Sequence, residues 1–419
     1  MSSPLDSINR WRLFCVGDRP RLKTVLEKMN RAVPVLMGVF IFLAPFVQDT
    51  SIKEICFYSS LGITLILAFT GSIRFSLDTP MTRGFAAFAL WAAIGVATAL
   101  NVPNTINDIL AHLIKYLAIS FMLAHYFGSP RGLETLSWVV IGSCAAFCLF
   151  YMGFFYLYLG NPFPERLVLY PYRDYLYVFG FFLSIHKLQS HDGFWGRLLA
   201  VVAILALLAA TLLGKGRSPL LAIFVGLCIF SLFGAPVFKR FTVAVIVLIV
   251  IGVALTPGFR DRFDIDQVLL NDRVQTNHIT LEIIKDYPVT GIGFGMQTYG
   301  YKEFIDLDAY RMRIPEKARF PIIIASPHNF LMDIAVRTGI VGVAIFLYTM
   351  ARVIGMLVSL IRHAKDSVAR GWAVCLGASF AGFFTQSLFG DAAYDLQAIV
   401  FYTILAMIII LWRQAQPEA

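Results

Sequence analysis

The chain reads as long apolar runs divided by short polar breaks, with one large exception. Apolar runs fall near 32–48, 54–71, 84–100, 107–127, 134–159, 173–187, 196–213, 218–235, 240–256, 339–361, 369–389 and 394–412. A helix needs about 20 residues to cross a bilayer, so the pattern predicts about twelve transmembrane helices. The fourth run is interrupted by His112 and Lys115. Between the ninth and tenth lies a polar island from Gly258 to Asn329, with nine Lys/Arg and ten Asp/Glu. That density of charge keeps it out of hydrocarbon. Its pattern predicts a helix over Ile265–Tyr287, stopped at Pro288 and followed by the turn Gly291-Ile292-Gly293-Phe294-Gly295. The island closes at Ser326-Pro327-His328-Asn329, where Pro327 suits the first turn of the next helix. The expected division is an arm over 1–31, spans one to nine over 32–256, a loop domain over 257–327, spans ten to twelve over 328–412, and a tail over 413–419.

Composition fixes the class. Hydrophobic residues make up 58% of the chain and charged ones 15%, and a soluble protein of this length needs more charge to cover its surface. The expectation is an all-α polytopic membrane protein with one large, partly helical loop. The net charge of +9 then belongs to the loops and is no sign of nucleic-acid binding. The six cysteines are scattered, mostly inside apolar runs, and form neither a disulfide framework nor a zinc site. The first 31 residues hold seven Lys/Arg and no apolar core of signal-peptide length, so they read as a cytoplasmic arm.

Charge placement also predicts orientation. Basic residues mark alternate breaks: Arg74 and Arg83, Arg131, Lys187 and Arg197, Lys239 and Arg240, then Arg362, Lys365 and Arg370, with Arg413 after the last run. These loops and both termini are expected inside the cell. Three outer stretches depart from the rule: 160–175 with Arg166 and Arg173, the turn Gly214-Lys215-Gly216-Arg217-Ser218, and the island itself. Basic residues on the disfavoured side of a membrane call for a reason, and an anionic ligand is a natural one.

Four constellations are candidates for chemistry. Lys215 and Arg217 lie in a glycine turn at the start of a helix, where free N–H groups and a guanidinium suit a pyrophosphate; the plain alternative is interfacial anchoring. Arg273 shares a helix face with Asn277; alternatively it pairs with Asp272, Asp266 or another loop carboxylate. His328, at the outer membrane edge with Asn329 beside it, is placed to accept a proton near neutral pH; otherwise it is a helix-start histidine bonded to a carbonyl. Asp391 and Asp395 flank the last outer turn, where they either hold an arginine, orient His328, or cap the final helix. The pairs Asp264/Asp266 and Asp306/Asp308 have a metal-binding spacing that polar loops often reach by chance, so no metal is expected.

Taken together, these residues resemble the O-antigen ligase and O-antigen polymerase superfamily of bacterial envelope proteins. The likeness rests on Gly216-Arg217-Ser218, on the Arg273 helix running into Asp286-Tyr287-Pro288-Val289-Thr290-Gly291-Ile292-Gly293, and on His328-Asn329-Phe330-Leu331 with Arg337-Thr338-Gly339-Ile340-Val341-Gly342 beyond. The resemblance implies an integral-membrane, GT-C-like glycosyltransferase of the inner membrane, with no metal, nucleotide or other cofactor. It implies an undecaprenyl-pyrophosphate-linked glycan as donor and lipid A–core oligosaccharide as the ligase acceptor, met among membrane lipids at the periplasmic face. On this reading His328 is the base, Arg217, Arg273, Lys215 and Arg173 hold the pyrophosphate, and Asn329 and Asp391 support them. Polymerases and protein O-oligosaccharyltransferases share the pattern; one compact outer loop leans towards a ligase. The expectation from another class is a lipid-linked-glycan flippase, which would line a cavity with charges deep inside its spans.

Overall fold

The computed structural model describes residues 20–46, 51–163, 165–167, 174–189, 193–234, 236–255, 272–364, 366–390 and 395–416. Among these residues the chain is helical, without strands. Among the described residues nine helices precede the polar loop: α1 (Pro20–Leu43), α2 (Ser51–Phe69), α3 (Thr82–Ile94), α4 (Val102–Tyr126), α5 (Pro130–Tyr158), α6 (Asp174–Gln189), α7 (Phe194–Leu213), α8 (Arg217–Phe233) and α9 (Pro236–Leu255). The loop contains α10 (Asp272–Asp286) and α11 (Leu307–Arg313), and α12 (Phe330–His363), α13 (Ser367–Ser387) and α14 (Asp395–Ala415) follow it. Each apolar run of the sequence carries a helix. Seven helices, α2, α4, α5, α7, α12, α13 and α14, are long and apolar enough to cross a membrane, while α3, α8 and most of α9 are shorter apolar helices. The protein is an all-helical, multi-pass membrane protein.

The last helix is the axis of the bundle. Residues Ile404 to Ile410 of α14 are fully buried, as expected for a helix apolar on every side. At one face of the bundle, Arg413 donates to the Ser76 carbonyl (2.6 Å), Gln414 to that of Gly128 (2.9 Å) and Arg370 to that of Phe233 (3.4 Å). The polar loop sits on the other face. The interruption in the fourth run has a structural answer. Residues Ile109–Ile114 form a π-helical turn within α4, and Lys115, just beyond it, pairs with Glu54 at the start of α2 (2.7 Å).

The loop has a small core of its own, built from Ile279, Ile283, Ile292, Tyr299, Ile305, Tyr310 and Ile314 and continued by Val336 of α12. Two edges fasten it. At the first, the α4 side chains grip it: Asp108 accepts from Met296 N–H (2.7 Å) and Asn104 from Gln297 N–H (3.1 Å). At the second, α12 breaks at Gly339, whose φ of 66° is open to glycine at little cost. The break frees carbonyls for outside partners: Val336 O accepts from Ile292 N–H (2.9 Å) and Thr338 O from the Trp91 indole (2.8 Å). In return Ile340 N–H donates to the Pro288 carbonyl (2.8 Å). Gly291, at φ 69°, packs its Cα against the Arg337 backbone, and a side chain at Gly339 would run into Val289. The two glycines therefore interlock.

One expectation is covered in part and one is corrected. The helix foreseen over 265–287 is described from Asp272 onward, its earlier residues lying outside the described ones. Pro327 is not in the first turn of α12. Asn329 takes the cap position, its Oδ1 accepting from Leu331 and Met332 N–H (3.0 and 3.2 Å), and the helix begins at Phe330. An asparagine able to satisfy two orphan N–H groups outweighs the proline preference.

Gly339→Ala is expected to undock the loop, because its extended, positive-φ backbone (φ 66°, ψ −175°) is essentially confined to glycine and costs another residue about 1–3 kcal/mol, and its Cβ meets Val289. Limited proteolysis between 288 and 325 should accelerate several-fold, while Gly355→Ala, with nothing within 4 Å, should leave it unchanged. A second test concerns Asp286. Hydrogen bonds from Tyr310 (2.7 Å) and Arg313 (2.6 Å) hold its carboxyl below the ordinary 3.8. A depressed folded value means the contribution is complete at neutral pH and is lost as the pH falls below 3.8 towards that value. Amide exchange in α11 should rise over that interval in the wild type, and Asp286→Asn should be raised already at pH 7 and insensitive to acid.

Candidate functional site

The site grows from four chain segments that meet on the loop face. The first is the turn from α7 to α8. Lys215 lies there with φ 51°, and Gly216, just before α8, offers no side-chain cap. The stretch before α6 is tied to this turn: Leu167 N–H donates to Leu213 O (2.9 Å) and Arg166 to Gly214 O (3.3 Å). Two of the stretches with wrong-side charge are thus neighbours. The second segment is the start of α6, where the Tyr175 ring packs on Phe383 of α13 (5.2 Å).

The third segment is the end of α13. Helices α8 and α13 run antiparallel in a register fixed at two levels. Arg370 bonds to Phe233 at the far face, and Gly382 lies against the Ala222 carbonyl nearer the loop face. One turn further out, Gln386 comes level with Ser218 at the start of α8. The fourth segment is 326–329. Asn329 Nδ2 donates to Leu388 O (3.1 Å), joining the start of α12 to the end of α13. Asn329 therefore has two jobs, capping α12 and fixing the segment that carries His328.

His328 is half-buried, with φ 48°. Among the described residues, Lys215 and His328 are the non-glycine positions with positive φ. Such backbones cost about 1–3 kcal/mol and gather at functional sites. Here they fall on two residues already singled out for their chemistry. Arg273 stands apart from that pair. It lies exposed in the first turn of α10, on the side away from Gln275. That turn is bound to the chain leading to His328: Gln275 donates to Ile322 O (2.9 Å) and accepts from Phe320 N–H. Hydrogen bonds and register thus join His328, Asn329, α13 and the Lys215–Arg217 turn, and the turn bearing Arg273 is tied to segment 320–322. Arg173 and Asp391 lie outside the described residues.

Other candidates have structural work. Asp306 caps α11, accepting from Asp308 and Ala309 N–H (3.1 and 3.3 Å), and Asp308 pairs with Arg311 (3.1 Å). Beneath His328 the structure adds a pair that residue type alone did not single out. Asp333 and Arg337, 2% and 4% exposed, form a two-pronged ion pair (2.9 and 2.8 Å), and Arg337 also donates to the Phe294 carbonyl (3.4 Å). Acid and base four residues apart at the head of an apolar helix were the available signal.

A family model described as O-antigen ligase matches residues 201–347. That stretch, about a third of the chain, is similar to the O-antigen ligase family. The match runs from within α7 through α8 and the loop to the first half of α12. Lys215, Arg217, Arg273, His328 and Asn329 all lie inside it. It supports a ligase- or polymerase-type glycan transfer by a membrane enzyme. No curated protein matches the chain.

The strained backbone of the matched stretch gives a direct test. At position 215 glycine should be more stable than alanine by about 1 kcal/mol, since only the latter bears the left-handed penalty. Melting temperatures of Lys215→Gly and Lys215→Ala compare the two, and equal values would mean that the turn relaxes at no cost.

Proposed function

We propose that this protein is an O-antigen ligase of the bacterial inner membrane. It moves a glycan from undecaprenyl pyrophosphate to a sugar hydroxyl of lipid A–core oligosaccharide. The loop face is the periplasmic one and both termini are cytoplasmic. The observation that carries the reading is the convergence of Lys215 and His328, both left-handed and both inside the matched domain, on the outer end of α13.

Arg217 and Lys215 take the donor pyrophosphate, with Arg273 and Arg173 completing the clamp from the loop and from the stretch before α6. Charge-assisted hydrogen bonds of this kind contribute about 1.5–3 kcal/mol each, and those that strengthen as charge builds on the leaving group act on the rate. The acceptor oxygen attacks the anomeric carbon as the bond from that carbon to the pyrophosphate oxygen breaks. The electron pair leaves with the pyrophosphate, and the hydroxyl proton passes to the His328 imidazole, a step worth roughly 100- to 10,000-fold. A single displacement inverts the anomeric centre. The free energy comes from the donor, so no nucleotide is needed, and on this reading the cationic side chains of the clamp take the charge that a metal would otherwise neutralise. Asn329 supports the reading by holding the His328 segment on α13, and Asp391 is assigned the matching role from the other side. The charge deepest in α4, Lys115, is paired with Glu54, which favours an enzyme over a charge-lined transport path.

The test is a reaction in detergent with purified protein, undecaprenyl-pyrophosphate glycan, lipid A–core and EDTA, without nucleotide. A shifted lipid A–core band is expected. A ladder growing on the polyprenyl carrier with lipid A–core untouched would mean a polymerase. His328→Ala should bind donor and lose transfer at least 100-fold; wild-type rates in that variant would remove the base assignment.

A further inference from the structure

The amide of Gln386 is the feature of the loop face that the proposed reaction leaves unused. Gln386 is only 2% exposed. Neither its amide oxygen nor its amide nitrogen has a hydrogen-bond partner among the described residues. Buried side-chain amides are as a rule hydrogen-bonded, because leaving one unmet penalises folding. A residue kept for packing alone would be leucine or methionine here. Ser387 beside it bonds to Phe384 O (2.9 Å), and Asn329 is engaged by its cap and by Leu388 O, so these two side chains do not serve the amide.

Its position tells what it faces. Gly382 and Phe383, one turn earlier on the same side of α13, pack against Ala222 and Tyr175. Gln386 therefore projects between the starts of α6 and α8, level with Ser218. Two residues further on, Leu388 receives the bond from Asn329. The amide thus lies between the pyrophosphate-binding turn at Lys215–Arg217 and the segment bearing His328.

We infer that Gln386 is a specificity-determining contact to the sugar directly attached to the donor pyrophosphate. The inference rests on the donor reading above. The two unmet groups narrow the ligand. A pyrophosphate oxygen only accepts and would leave the amide oxygen unmet. A ring hydroxyl or an acetamido group both donates and accepts, and satisfies the two ends of the carboxamide together. The site between leaving group and base is also where the first sugar must lie for His328 to serve an incoming hydroxyl.

The experiment uses the full-length protein. Gln386→Met keeps the volume and removes both polar atoms; Gln386→Asn keeps the amide and withdraws it by one methylene. Each is assayed for melting temperature, KM for the lipid-linked glycan, and inhibition by undecaprenyl pyrophosphate carrying no sugar. Gln386→Met should melt higher than wild type and raise the donor KM about tenfold, the ordinary worth of a neutral hydrogen bond. Inhibition by the sugar-free carrier should stay the same. Gln386→Asn should raise KM without that gain in melting temperature, and it carries the test alone if the methionine variant does not fold. An unchanged KM, a lowered melting temperature in a folded Gln386→Met, or sugar-free inhibition weakened in parallel would each overturn the inference. Arg217→Ala separates the two proposals. It should weaken glycan donor and sugar-free carrier alike, and no effect on either would fell the donor reading itself.

Discussion

The backbone of α12 turns left-handed at Gly339, and the polar loop hangs on the carbonyls that the break releases. Ile292 and Trp91 occupy the Val336 and Thr338 carbonyls, and Ile340 answers to Pro288. Each side of this joint satisfies groups of the other. A helix broken inside a membrane protein must find partners for its freed groups, and the 288–295 turn needs a surface to close on. With α4 fastening the other edge, this joint positions the loop against α12. Val336 completes the loop's core, Arg337 reaches the Phe294 carbonyl, and the first turns of α12 are held so that Asn329 and His328 meet the end of α13.

That rigidity also accounts for the strained residues. A left-handed histidine persists only if its neighbours on both sides are fixed. Asn329 caps α12 on one side and clasps Leu388 on the other, so His328 cannot relax without releasing both. Lys215 is held in the same way, between the end of α7 and a stretch that bonds across to Leu213 and Gly214.

Much of this was legible in the chain. Apolar runs place a helix at each foreseen position, since burial and hydrogen bonding leave few other choices for such segments. The Gly-rich turn after Pro288 and the Arg337–Gly339 stretch read as motifs, but their meaning did not show, because the partners are separated by some 50 residues and meet only in three dimensions. The π-turn at Ile109–Ile114 looked like a flaw in a span because hydropathy records no hydrogen-bond register. Gln386 was invisible for a related reason. Nothing in its neighbours' sequence distinguishes a buried, unmet glutamine from an exposed one. The start of α12 was placed at Pro327 on proline's preference, which a capping asparagine overrode.

The two helices that open on this face differ in a way that divides the labour between them. α12 begins with a side-chain cap, its first N–H groups occupied by Asn329. α8 begins at Arg217 behind Gly216, which offers no side-chain cap, and its third residue, Pro219, has no N–H to offer. Both helix ends carry the same partial positive charge. In α12 the asparagine consumes it to hold a histidine still. α8 has no side-chain cap from Gly216 and carries Lys215 and Arg217 at that end, where an anion gains from the helix dipole and two cationic side chains together. The proposed roles, a base on one helix and a phosphate clamp on the other, therefore follow from how each helix starts as much as from which side chains it bears. The α13 end that both helices touch sets the distance between them.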